Sequence, residues 1–234
     1  MDRYVITTSV AKKFVASVKN DKKISAILDK VKKGKATQTD IATYSDLLGK
    51  HASDAISTYV DYKNFSEADA KQAIERTLNS DYLRVNNAAA LQLKGEDAKK
   101  GLKIAIKQEK NFRTKNLLNK LSQATEGAFP TELTEGVKTT SRQFYDDFQQ
   151  ANVKLREELG YKEVVIRTYD DVGLRNRTQP CQFCLDREGE FSFSEAKSLG
   201  VFRRHAGCGC HITIETPEVT RDQTNWTNNT WDDR

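Results

Sequence analysis

Residues 181–215 read CQFCLDREGEFSFSEAKSLGVFRRHAGCGCHITIE. All four cysteines of the 234-residue chain lie here, as Cys181 and Cys184, then Cys208 and Cys210, with His205 just ahead of the second pair. The pattern is C-x2-C, a spacer of twenty residues, then H-x2-C-x-C. Zinc takes four tetrahedral ligands drawn from thiolate and imidazole, and two ligands two residues apart make a natural knuckle. The spacer has room for a hairpin arm and a short helix, as in a zinc ribbon or treble clef. Five candidates for four places leave one over, and Cys208 or His205 is omitted sooner than Cys181 or Cys184. Two other readings stand beside structural zinc. The thiols can be small packed hydrophobes, or a disulfide ladder formed after release into oxidising surroundings. A catalytic zinc would need an open position and a nearby acid or base. Glu188 and Glu190 are close in sequence, but they read as turn residues.

Around this block the hydrophobic period is short. The run EVVIRTY is β-branched, GEFSF alternates, and CHITIE alternates with Ile212 and Ile214 on one face. SFSEAKSLG between them predicts a short helix capped by Ser194. Upstream of residue 160 the period is helical instead. TSVAKKFVASVKN places Val10, Phe14 and Val18 on one side, and KISAILDKVKKG repeats the pattern and stops at Gly34. TQTDIATYSDLLGKHASDAISTYVDY predicts a longer helix, with Ile41, Tyr44, Leu47 and Leu48 together. SEADAKQAIERTL opens on Ser66 with Asp69 three residues later, a capping-box pattern. EDAKKGLKIAIKQEKNFRTKNLLNKLSQATEG is rich in helix formers and predicts helix up to Gly127. TTSRQFYDDFQQANVKLREELG carries Phe144, Phe148, Val153 and Leu159 on or near one face and ends at Gly160. The fold class is therefore α+β: a mostly helical region over 1–160, a small zinc-stapled α+β domain over 161–215, and a polar tail over 216–234. There is no internal repeat.

Composition narrows the class. Hydrophobic residues make up 37% and charged residues 30%, which suits a polar globular chain. No stretch approaches the eighteen or so apolar residues of a membrane span. The start MDRYVITTSVAKKF lacks the apolar core of a signal peptide, so a reducing cytosol is expected. The net charge of +5 hides an asymmetry. Residues 1–120 carry 24 Lys+Arg and 14 Asp+Glu, and residues 121–234 carry 14 and 19, giving +10 and −5. The basic half can face double-stranded DNA through Lys12, Lys13, Lys32, Lys33, Lys99, Lys100 and Lys103; the plainer reading is a set of solvated helix faces. The tail NWTNNTWDDR holds the only two tryptophans, Trp226 and Trp231. They are expected either to fold back on the small domain or to dock a partner.

The cysteine block resembles the C-terminal segment of minor head proteins of tailed bacteriophages, the Mu F-type head-morphogenesis family. The resemblance rests on Cys181 and Cys184, the acidic-glycine turn Asp186 to Gly189 with Phe191, then His205, Cys208 and Cys210 running into Ile212 to Ile214. The helix ending at Gly160 and the strand EVVIRTY fit the same pattern. The N-terminal DRYVITTSVAKKFVASVKNDKKISAILDKVKKGKAT is similar to the opening of versions from phages of Gram-positive bacteria. The resemblance implies a low-copy structural protein of the virion with no catalytic role. It would act in head morphogenesis at the portal or inner capsid surface. Portal or major capsid protein would be its partners, packaged DNA a further contact, and the host cytoplasm its place during assembly. Against that family the sequence is short, and no added effector module is expected.

The alternatives are a zinc-containing nuclease of the HNH or treble-clef type and a plain DNA-binding protein. A nuclease needs a general-base histidine and a metal-binding His or Asn in a ββα arrangement. The chain offers only His51, His205 and His211. His51 reads as an exposed helix residue, and His211 as a half-buried strand residue beside the knuckle.

Overall fold

A computed structural model describes residues 5–169, 181–205 and 208–216. Six helices come first: α1 (Val5–Asn20), α2 (Lys22–Lys32), α3 (Gln38–Ser57), α4 (Ala68–Lys99), α5 (Arg113–Ser122) and α6 (Phe129–Glu158). The sequence then turns to short elements: β1 (Val164–Thr168), α7 (Gln182–Leu185), β2 (Gly189–Ser192), α8 (Phe193–Ser198) and β3 (His211–Glu215). The described residues are thus mostly helical, with a small three-stranded antiparallel sheet near the C-terminus, in agreement with the α+β expectation.

The helices bury one continuous core. Val10, Phe14 and Val18 of α1 join Ile24, Ile27 and Val31 of α2, and Ile41, Tyr44 and Leu48 of α3. Each set recurs at three or four residues, so each helix turns one apolar stripe inward. Helices α3 and α6 pack against each other most extensively. A Cβ placed on Gly49 would meet the Ser141 Cβ at 2.8 Å and the Lys138 Cα at 3.2 Å, so only glycine lets the backbones approach this far.

Three local readings change. The capping box at Ser66 is not formed, since Glu67 is the N-cap of α4 and makes no side-chain cap bond. Asp69 is used elsewhere: its buried carboxylate accepts from the backbone N–H of Ile6 at 3.1 Å and of Thr7 at 3.3 Å, capping the first turn of α1 across the core. The helix read through 96–127 is broken. Helix α4 ends at Lys99, Gly101 takes a positive φ of 70°, and residues 102–112 are neither helix nor strand before α5 begins. Propensity over that stretch is outweighed by a glycine that closes the helix. Third, α8 is capped by Ser192 rather than Ser194, in a complete capping box with Glu195.

The sheet has the order β2-β1-β3, with Val165 opposite Phe191 on one side and Ile214 on the other. Val165, Phe193, Ala196, Val201, Phe202 and Ile212 form its core, and Val153 near the end of α6 belongs to that cluster. Polar groups join the sheet to the helices. The Gln38 side-chain amide at the start of α3 acts as a one-residue strand on the free edge of β3. Its Nε2 donates to the Ile214 carbonyl and its Oε1 accepts from the Ile214 N–H, both at 2.7 Å. Gln149 of α6 donates to the Ile212 carbonyl at 3.1 Å. Arg156 of α6 bridges Asp97 of α4 at 2.5 Å and Glu163 ahead of β1 at 3.4 Å.

Candidate metal centre

Cys181 is the N-cap of the single-turn helix α7, and Cys184 lies within that turn. A two-residue separation on a helical turn sets both sulfurs to one side. His205 and Cys208 lie between α8 and β3, and Cys210 immediately precedes β3. The sheet positions both halves, since β2 and β3 flank β1.

All five expected donors converge. The His205 Nε2 lies 3.2 Å from the Cys181 sulfur and 3.0 Å from the Cys184 sulfur. The Cys184 and Cys208 sulfurs are 3.7 Å apart. Donor atoms fall into two groups, Cys181–Cys184–His205 and Cys184–Cys208–Cys210, each with its atoms within 4.8 Å of one another and close enough to hold a metal ion. Cys184 belongs to both and is the hub. All four cysteines are free thiols, so no disulfide ladder forms here. Cys184, Cys208 and Cys210 are buried, while Cys181 and His205 are half-buried. The Phe183 ring meets His205 edge-on at 5.6 Å, and the Arg187 guanidinium lies 3.8 Å from the centre of the same Phe183 ring.

Cationic groups surround the sulfurs. Arg167 on β1 is only 1% exposed, yet its guanidinium sits in the cluster, 3.5 Å from the Cys208 sulfur and 3.9 Å from that of Cys184. Carbonyls of Val201 and Arg203 accept from its Nη1. Arg204 donates to the Cys210 carbonyl at 2.5 Å and points Nη1 toward the Cys208 sulfur at 3.9 Å. Arg142 of α6 donates to the Cys208 carbonyl and pairs with Asp46 of α3. The thiols therefore divide. The Cys208 thiol is pulled down to about 4: Cys210 donates to it and Arg204 and Arg167 favour its charge, against the opposing effect of burial. Burial, together with the neighbouring Cys208 charge, pushes Cys184 up to about 11. Cys210 is also raised, by donating to Cys208 and by burial.

The arginines escaped the reading of the sequence. Arg167 carried a legible signal. In the burial pattern of β1 it shares the inward phase with Val165, and a charge on the inward phase of a strand needs a buried partner. Arg204 and Arg142 carried none, because their partners lie 58 and 66 residues away.

The other expected residues do not join this cluster. Glu190 pairs with Ile166 in the sheet, and Glu188 accepts from the Tyr169 N–H at 3.2 Å. His51 is half-buried rather than exposed, and its Nε2 lies 2.8 Å from Asp21, the N-cap of α2. His211 begins β3 and is half-buried, as expected. All seven lysines are exposed, but they lie at two ends of the helical body. Lys13 donates to Thr58, just past the end of α3. Lys32 and Lys33 close α2, whose Lys30 pairs with Asp40 at the opposite end of α3. Lys99 and Lys100 close α4 beside Gln38, at that same end, and Lys103 follows shortly after. The twenty residues of α3 separate the two ends by about 30 Å. Trp226 and Trp231 lie outside the described residues. No described helix is long and apolar enough to cross a membrane.

Comparison of the chain with protein-family models, with curated proteins and with solved structures finds no match in any of the three.

Proposed function

We propose that the chain is a structural protein whose C-terminal region is a zinc-stapled knuckle of the treble-clef or ribbon kind, and that it serves as a minor head protein of a tailed bacteriophage. The observation that carries the reading is the convergence of four cysteine sulfurs and one imidazole on Cys184, three of the thiols being buried. Soft thiolate and imidazole donors at these separations suit zinc, and a fully protein-ligated site is the structural kind. With five donors for four places, the protein can supply every ligand, as structural zinc sites require. The residues that would hold zinc are Cys181, Cys184 and two of His205, Cys208 and Cys210. Bound there, zinc would tie α7 to the start of β3. Arg167 and Arg204 would offset the negative charge of the thiolates.

The virion role rests on the resemblance of the cysteine block to the Mu F-type family. Portal or major capsid protein is then the partner, within the virion and, during assembly, in the host cytoplasm. DNA contact would come from the lysines at one end of the helical body. The nuclease alternative draws little support, because His51 is held by Asp21 on a different element and His205 sits among the thiols.

The test is metal analysis of the full chain prepared without chelator, followed by binding to the portal and major capsid proteins of its parent particle. About one zinc per chain and capture by either protein are expected. Absence of zinc refutes the staple, and failure to bind either protein refutes the head assignment. Nicking of plasmid with Mg²⁺ or Mn²⁺, abolished by Cys184→Ser, would instead establish the nuclease.

A further inference from the structure

Helices α4 and α6 turn polar side chains toward each other near the end of β3. Gln92 and Glu96 of α4, and Gln149, Asn152 and Arg156 of α6, are spaced three or four residues apart, so each set lies on one helix face. With Ile214 of β3 they line a cavity of about 30 Å³. Gln92 is 4% exposed and Gln149 5%. Polar groups buried this far need hydrogen-bond partners.

Most of the polar wall is already paired. Arg156 meets Glu163 and Asp97, Thr216 donates to Glu163 at 2.9 Å, and Asn152 holds both backbone groups of Lys107. Gln149 donates through Nε2 to the Gln38 Oε1 at 3.3 Å and to the Ile212 carbonyl at 3.1 Å. Those two acceptors fix the orientation of its amide and leave Oε1 to accept. Among the described residues, nothing hydrogen-bonds that Oε1 or the Nε2 of Gln92. One helix thus contributes an unpaired buried donor to the cavity, and the other an unpaired buried acceptor.

We infer that this cavity is a hydration site, where internal water joins Gln92 of α4 to Gln149 of α6 and, through Gln149, to the Ile212 carbonyl of β3. The pattern of donor and acceptor selects the ligand. Water accepts from the Gln92 Nε2 and donates to the Gln149 Oε1. A bare cation would leave the Gln92 donor unpaired, and an anion without a proton would leave the Gln149 acceptor unpaired. Size selects it again. The cavity admits about two waters at roughly 10–15 Å³ each, and lies far below the roughly 300 Å³ at which small-molecule pockets begin. Glu96 and the buried Tyr145 line the same space and add polar groups for the second water. Gln38, Glu96, Ile214 and Thr216 also line an outer groove beside Lys99 and Lys100, which gives water a route from bulk solvent. Bridging water of this kind holds polar surfaces together nearly as well as direct hydrogen bonds do.

Nuclear magnetic resonance of the full chain, prepared without chelator, tests the site. Magnetisation transfer from water should appear at the Gln92 side-chain amide protons. Magnetic relaxation dispersion of the solvent should count long-lived internal waters, and Gln92→Met, which keeps the side chain's length and removes its donors, should lower that count by at least one. Absence of transfer at the Gln92 amide in the unaltered protein overturns the inference, whatever the variant does. A count unchanged in folded Gln92→Met overturns it as well.

Discussion

Arg204 and Asp146 meet where the cysteine knuckle rests on helix α6. Two guanidinium nitrogens face the two carboxylate oxygens, with Nη2 to Oδ1 at 2.8 Å, and the side chains are 5% and 1% exposed. Burial works against the charge of Arg204, and the Asp146 carboxylate outweighs it, so the guanidinium stays protonated. The same arginine holds the Cys210 carbonyl, so one side chain connects the donor cluster to the helical body. Removing one partner leaves the other charged and buried. Asp146→Ala should therefore cost about 3–5 kcal/mol in denaturant unfolding, and Asp146→Leu with Arg204→Met should recover most of it. A double variant as unstable as the single one would show that the pair does more than compensate its own burial.

Metal removal should act locally first. Chelation, Cys181→Ser or Cys184→Ser should release amide protection across residues 161–215 before the helical core of α1 to α6 is affected. Cys184→Ser should have the largest effect, because Cys184 belongs to both donor groups. Hydrogen exchange with and without chelator reads the order. Simultaneous loss of both regions would mean that the contacts from Gln38, Asp146 and Gln149 make them one cooperative unit.

Gln38 offers a test of that joint without touching the cysteines. Gln38→Ala removes both bonds to Ile214 and leaves the edge of β3 without its side-chain partner. The expected loss is about 1–2 kcal/mol, with faster exchange at the Ile214 amide. Stability unchanged within a few tenths would mean that water replaces the side chain.

Asp81 should make the helical core sensitive to pH. Its carboxyl is fully buried, accepts from Ser141, and is pushed up to about 7 by burial, against opposing effects from Ser141 and Arg84. The folded state therefore holds this proton more tightly than the unfolded chain, where the ordinary value is 3.8. The stabilisation is complete below pH 3.8 and is lost as pH rises through 7. From pH 5 to pH 8 the loss should be on the order of 2–3 kcal/mol. Asp81→Asn should flatten the profile over that range in thermal or denaturant melts. A wild-type profile that rises between pH 5 and pH 8 would contradict the assignment.

DNA binding, if it serves packaging, should involve one end of the body. Five of the seven lysines, Lys32, Lys33, Lys99, Lys100 and Lys103, belong to the end near Gln38, while Lys12 and Lys13 lie near Thr58. The slope of log affinity against log salt should then lie between about −4 and −5, rather than near −6 for all seven. Lys99→Glu/Lys100→Glu should reduce the slope, whereas Lys12→Glu/Lys13→Glu should not. Binding insensitive to salt would identify these lysines as solvated helix faces.

Read without its fold, the chain already shows the helical stripes of α1 to α3, the change of period after residue 160, and the five side chains able to hold a metal. Apolar spacing and cysteine clustering are local, and each is read from a few neighbouring residues. The tertiary structure decided everything that depends on distant partners. Asp69 read as the third position of a local capping box and instead caps α1, because the packing of α1 on α4 presents it with two unpaired N–H groups. Residues 102–112 have helical composition but are neither helix nor strand, because Gly101 closes α4 and Asn152 holds Lys107 from α6. Cys208 and Cys210 look equivalent in GCGC, yet their thiols are driven in opposite directions. Arg204 and Arg167 meet the sulfur of Cys208, and only the fold brings those cations there, because a buried charge is stable wherever the whole chain supplies its partner.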